Sequence, residues 1–115
     1  MGFKVNFNTG RLKQKMKKSN AEAISILSQQ ILKDSNYYAK HDSGLLIASS
    51  LLNSDFKNGR LIWSTPYAKK QYYLETTSKD VNPNARPMWF LYAKSVKIKT
   101  WVTMFDKLIR KGFKR

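Results

Sequence analysis

The chain has no cysteine, a single histidine and only seven acidic residues among 115. Without cysteine there can be no disulfide and no thiolate metal site, a composition suited to folding in a reducing cytoplasm. One histidine and scattered carboxylates supply no set at metal-ligand spacing, so no metal and no cofactor is expected. The longest apolar runs, such as Leu45 to Ala48, fall far short of the roughly 20 residues that span a bilayer. The first residues also lack the apolar stretch of a secretory signal. These absences point to a soluble, non-secreted chain with no membrane partner. Proline and glycine are sparse, three and five residues, so the few turn signals that do occur carry weight.

What is present describes a folded protein. The length suits one domain over 1–115, long enough to bury roughly two thirds of its unfolded surface. Hydrophobic content of 42% with 13% aromatics excludes a disordered chain. The net charge is +15, and it is unevenly placed. Residues 1–18 carry +6 with no acid, 94–115 carry +7 with Asp106 as their one acid, and the long centre carries +2. Two basic ends around a near-neutral middle attract a polyanion, nucleic acid or an acidic protein surface. The ordinary meaning of such runs is a solvated, solubilising surface.

Along the chain, Phe3-Lys4-Val5-Asn6-Phe7 alternates as a half-buried strand does. Asn8 or Thr9 can cap the helix that follows, where Leu12, Met16, Ala23, Ile24, Leu27 and Ile31 share one side. Asn20 interrupts that stripe, which predicts a kink or break near Ser19-Asn20. The helix should end at Asp34 to Asn36, with Tyr37-Tyr38 packing back on its last turn. Asp42-Ser43-Gly44 reads as a turn or N-cap feeding a short helix through Leu45, Leu46 and Ser49. Lys57-Asn58-Gly59 between strand-like runs predicts a β-hairpin over about 50–65, because Asn-Gly tolerates positive φ. Leu61 and Trp63 would share one face of its second strand, which Pro66 ends. A brief helix is expected over Tyr67 to Leu74, then an exposed loop over 75–86. Pro87 suits the first turn of a closing helix. Ile98, Trp101, Val102, Phe105, Leu108 and Ile109 form its apolar face, and Lys99, Thr103, Lys107, Arg110, Lys111 and Lys114 lie opposite. The expected class is therefore α+β: long N-terminal and C-terminal amphipathic helices packed on a small antiparallel sheet containing the hairpin.

Little here could do chemistry. His41 beside Asp42 is the one acid–base pair, with no nucleophile in a recognisable setting. Asn8-Thr9-Gly10 and Asn58-Gly59 are too sparse to cradle phosphate. No catalytic residue is assigned. Tyr67, Tyr72, Tyr73 and the tryptophans beside lysines could stack on unpaired bases, but Trp63 and Trp101 sit on apolar faces, where core packing explains them.

The ordered residues of the centre resemble a known family. Asp42-Ser43-Gly44-Leu45-Leu46-Ile47-Ala48-Ser49 is followed by a hairpin that ends in Trp63-Ser64-Thr65-Pro66-Tyr67-Ala68. Then come Tyr72-Tyr73, Asn84-Ala85-Arg86-Pro87-Met88-Trp89, and a last helix with Ala93, Lys94 and Trp101. This pattern, from about Tyr37 to Trp101, is similar to the small minor capsid proteins of tailed bacteriophages and prophages of Gram-positive bacteria. That group in turn resembles head–tail joining, or tail-completion, proteins. Asp42, Gly44, Leu46, Ser49, Trp63, Pro66, Tyr67, Ala68 and Trp89 are the positions that carry the likeness. The chain departs from it at Ala39-Lys40-His41, where relatives often have a proline, and at Leu74-Glu75-Thr76-Thr77.

The resemblance implies a structural, non-enzymatic virion protein. It would be made in the bacterial host cytoplasm and sit at the head–tail interface as a homo-oligomeric ring around the DNA channel. Its partners would be other neck, connector and tail proteins, with non-specific contact to packaged DNA. The basic ends supply the candidate contacts: Lys99, Lys107, Arg110, Lys111 and Lys114 first, then Arg11, Lys13, Lys15, Lys17 and Lys18. A second expectation makes 75–86 an arm that orders on a neighbour. A basic nucleic-acid-binding module and a small RNase-like toxin stay open as other classes.

Overall fold

The computed structural model describes residues 3–7, 10–40, 44–74 and 82–113, with only the backbone of Phe3, Gly10 and Arg11. Strand β1 (Phe3–Asn6) is followed by helices α1 (Gly10–Lys18), α2 (Ala21–Asn36) and α3 (Leu45–Asn53). Strand β2 (Arg60–Trp63), the short α4 (Ala68–Tyr73) and the long α5 (Trp89–Arg110) complete the order. The class is α+β, as the sequence predicts: α2 and α5 pack on each other beside an antiparallel β1–β2 pair.

The break expected near Ser19-Asn20 separates α1 from α2. Asn20 stands in extended conformation, and its side-chain oxygen accepts the Ala23 N–H at 2.9 Å, capping α2. Leu27, Ile31 and Leu32 of α2 are buried against Trp101 and Phe105 of α5 within one apolar cluster that also holds Trp63 and Trp89. The alternation Val96-Lys97-Ile98-Lys99 is helical here, since Ile98 and Val102 pack on that cluster with helical spacing.

The hairpin is where expectation and structure part. The turn exists: Asp55 and Arg60 exchange backbone hydrogen bonds of 2.8 and 2.9 Å around a 3-10 turn, Phe56–Asn58. Gly59 then takes φ 69°, a region that favours glycine, and a Cβ there would lie 3.1 Å from Met16 Cε and 3.3 Å from Phe7 Cζ, so that those side chains would have to give way. The run before the turn is helical, however. Residues 50–53 belong to α3, and β2 pairs with the distant β1 in the register Val5↔Leu61 and Lys4↔Ile62. Leu46 and Ser50, four residues apart, form the buried face of α3 and carry the helix past Ser49. The outer edge of β2 is closed by side chains instead. Ser54 Oγ accepts the Ile62 N–H at 2.8 Å, and Ser49 Oγ accepts the Ser64 N–H at 3.1 Å. An edge that would otherwise invite pairing with another chain is thereby covered.

Asn36 ties three elements together. Its Nδ2 donates to Ser50 Oγ at 2.9 Å on α3, and its Oδ1 accepts from Trp63 Nε1 at 2.9 Å on β2. Two residues earlier on α2, Asp34 Oδ2 accepts from Trp101 Nε1 of α5 at 2.7 Å. Both tryptophans are fully buried, so each indole N–H needs the partner that the end of α2 supplies.

Pro87 lies just outside α5 rather than in its first turn. Met88, in the left-handed region at φ 49°, caps the helix and donates its N–H to the Tyr72 carbonyl. Of the expected loop 75–86, only 82–86 falls within the described residues. That part is pinned: Asn82 Nδ2 donates to the Tyr37 and Ala39 carbonyls at 2.8 and 2.9 Å, and Ala85 is buried. Residues 75–81 of the arm expected over 75–86 lie outside the described residues, as do the caps expected from Asn8, Thr9, Asp42 and Ser43, and His41.

Candidate functional site

The charge of the two chain ends converges in space. Lys15 of α1 forms an ion pair with Asp106 of α5, the one acid of the C-terminal segment. One turn beyond, the Asn20 N–H donates to the Phe113 carbonyl at 3.3 Å. These contacts set α1 against the C-terminal end of α5, so residues about 90 positions apart share that end of the α1–α5 pair. We refer to this end as the basic pole.

Two shallow grooves accompany it. The first, about 560 Å³, runs along the outer face of α5 and is lined by Lys99, Lys107 and Lys111 with Thr103, Met104 and Leu108. Lys107 and Lys111 stand four residues apart, a like-charge spacing that disfavours the helix by about 0.2–0.5 kcal/mol. An anion placed between them would relieve that repulsion. The second groove, about 590 Å³, lies where α1 meets the start of α2, with Lys13, Lys17 and Lys57 around Met16 and Ile24. Lys57 was not among the sequence candidates. It enters because the Asn58-Gly59 turn packs on α1 through Met16, and no local pattern reports that long-range contact.

The other candidates fall as follows. Arg110 is exposed, its Nε donating to the Asp106 carbonyl at 3.4 Å. Lys18 is exposed at the end of α1. Lys15 is engaged by Asp106 and works as the tie between α1 and α5. Lys114 and the Arg11 side chain lie outside the described residues. Part of this charge has a structural use, since Lys15, Lys17 and Lys18 close α1 and Lys107 and Arg110 close α5. Cations there complement the partial negative charge of the helix C-termini.

The aromatic residues offer little for base stacking. Trp63, Trp89 and Trp101 have no exposed surface, and they pack edge-on or stacked among themselves, Tyr72 and Phe90. Tyr72 is buried as well, and loss of solvent pushes its hydroxyl up to about 12. Tyr38 packs edge-on against Tyr92 at 4.7 Å, and the Arg86 guanidinium sits 4.4 Å over the Tyr92 ring. Tyr67 and Tyr73 are exposed. Among the described residues, no group of three or more His, Cys, Asp or Glu could hold a metal. No helix of the described residues is long and apolar enough to cross a membrane.

The residues that carried the family likeness sit at the joints of α3, β2, α4 and α5. Gly44 caps α3 with φ 80°, Leu46 and Ala68 are buried, and Ser49 Oγ accepts the Ser64 N–H just past β2. Pro66 follows β2, Tyr67 precedes α4, and Trp63 meets Trp89 at 5.8 Å. Asp42 lies outside the described residues.

A family model described as minor capsid protein matches residues 3–109. The chain has no significant match among curated proteins or among solved structures.

Proposed function

We propose a place for this chain in the virion on one premise: it belongs to the minor capsid protein family of bacteriophages. A structural role in the particle follows from that membership. The finer reading is that it joins head to tail, as a ring around the channel that DNA traverses, and turns its basic pole toward DNA or an acidic neighbouring ring. The observation that supports this is the convergence of the two basic chain ends, tied by Lys15 and Asp106, while the centre of the sequence supplies the scaffold. Lys99, Lys107, Arg110, Lys111 and Lys114 are the principal contacts in this reading, with Arg11, Lys13, Lys17, Lys18 and Lys57 on the adjoining side.

The role needs no catalysis: a joining protein works by presenting surfaces at fixed positions. Cations on one pole would lower the repulsion that packaged DNA exerts along a narrow channel, and they would do so without reading sequence.

The test is replacement of Lys99, Lys107, Arg110, Lys111 and Lys114 with glutamate in the phage, with circular dichroism to verify the purified fold. We expect DNA-filled heads without tails, and a salt dependence of DNA association weakened by about 4.5 in logarithmic slope if each residue meets one phosphate. Normal infectivity with an unchanged slope would refute the assignment. The competing reading, a free-standing nucleic-acid-binding module, predicts tight and steeply salt-dependent binding by the isolated chain. A neck protein binds DNA weakly until it is assembled.

A further inference from the structure

Helix α3 is buried on one side only. Leu46 and Ser50 face the core, whereas Leu45, Leu51 and Leu52 are 67, 61 and 84% exposed, with Ala48 exposed between them. At about 100° per residue these four share one face of the helix. From Leu45 through Ser54 there is no charged side chain, in a chain whose net charge is +15. A single exposed leucine is ordinary; three on one uncharged face form an interaction patch.

The chemistry of the patch selects its occupant. A polyanion finds no cation there. Copies of this chain repel one another wherever their lysines meet, so contact between copies belongs where at least one of the two faces carries no charge. A second exposed apolar surface exists, formed by Tyr73 and Leu91 at 60 and 52% exposure. It borders a groove of about 350 Å³ beside β1, lined by Val5, Tyr73 and Leu91 with Lys4 and Lys94 among its walls. The two surfaces flank the sheet. The Ile62 and Ser64 N–H groups of the β2 edge point to α3, β1 occupies the opposite edge, and the groove runs beside β1. Surfaces on opposite flanks of one protomer pair head to tail, and that arrangement propagates from copy to copy, into a ring where the rotation closes, instead of ending as a dimer.

We infer that the exposed face of α3 in one copy seats in the Tyr73–Leu91 groove of the next. This rests on the ring reading above and names the copy-to-copy contact within it. The carbonyl end of α3, with its partial negative charge, complements Lys4 and Lys94. The patch is small, about 14 Å by 10 Å for nine helical residues. Such a contact buries well under the roughly 1,200 Å² of a stable pair. It therefore forms only where other contacts hold copies side by side at high effective concentration.

The lack of cysteine makes the test clean. Phage particles are prepared with Leu52→Cys, Leu91→Cys or both, treated with a short bis-maleimide and separated on denaturing gels. The double variant is expected to give a ladder of multimers, and each single variant monomers only. Adding Leu52→Lys to a Leu91→Cys chain and mixing it with Leu52→Cys chains should leave their heterodimer intact. Adding Leu51→Lys to the double variant should cut the ladder by about tenfold, the effect of roughly 1.4 kcal/mol at an apolar contact. Dimers from Leu52→Cys alone would mean α3 meets α3 and would overturn the inference, as would a double variant present in particles without a ladder. Labelled electron microscopy separates the two claims. Label at the head–tail junction without a ladder sinks the contact and leaves the ring, whereas a ladder with label on the capsid shell sinks the ring reading and leaves the contact.

Discussion

The joint between Trp101 and Asp34 allows the packing of α5 on α2 to be tested quantitatively. Trp101 is fully buried, stacked on Phe90 at 6.3 Å, and its indole N–H donates to Asp34 Oδ2 at 2.7 Å. Trp101→Phe removes that donor and part of the ring. The few tens of Å³ vacated, at about 24 cal/mol per Å³, cost on the order of 1 kcal/mol. A hydrogen bond to a charged group contributes about 1.5–3 kcal/mol. The low end applies here, because Asp34 is only half-buried and keeps a second contact from Gln30 Nε2 at 3.1 Å. The expected total is about 2–3 kcal/mol, or a Tm lower by roughly 10 °C for a chain of this size. Asp34→Asn keeps an acceptor and should cost about 0.5–1 kcal/mol. The double-mutant cycle in urea or by calorimetry should then give a coupling of about 1 kcal/mol, because the second substitution has no bond left to break. A coupling below about 0.3 kcal/mol would refute the reasoning and reduce Trp101 to a packing residue.

Two further outcomes follow from the same geometry. Tyr72 ionises near 10 in the unfolded chain and is pushed up to about 12 by burial. A raised folded value makes its contribution complete below pH 10 and lost as pH rises toward 12, by about 2–3 kcal/mol in all. Alkaline denaturation of Tyr72→Phe should therefore fall less steeply between pH 10 and 12 than that of the parent; parallel curves would contradict the burial argument. Ser54→Ala strips the partner from the half-buried Ile62 N–H, with an expected cost of about 1 kcal/mol and faster hydrogen exchange at that amide. Unchanged exchange at Ile62 would show that Ser54 does not guard the edge.

Much of the fold is legible in the chain because its cause is local. The Asn20 cap, the helical faces of α2 and α5, Gly59 at positive φ and the buried alternation of Leu61 and Trp63 all follow from side-chain period or backbone sterics. The run 50–56 misleads because Ser50, Leu51 and Leu52 alternate no more clearly than they spiral, and tertiary burial of Leu46 and Ser50 decides for helix. Asn36 was legible only as a turn residue. Its bonds to Ser50 and Trp63 depend on partners 14 and 27 positions away. Pro87 stands two residues before the first residue of α5 instead of inside its first turn, because the left-handed Met88 donates to the Tyr72 carbonyl and caps the helix.

The sequence by itself determined the class of molecule. It excluded disulfide and thiolate chemistry and divided the charge between two ends and a neutral centre. Through the ordered motifs from about Tyr37 to Trp101, it also carried the family. Each of these is a property of residue type and spacing. Tertiary structure decided where that charge is spent. Only the folded chain sets Lys15 beside Asp106, brings Lys57 to Lys13 and Lys17, and leaves the uncharged leucines of α3 facing outward while the tryptophans are enclosed. Those placements depend on contacts between residues tens of positions apart, and such contacts leave no periodic trace in the sequence.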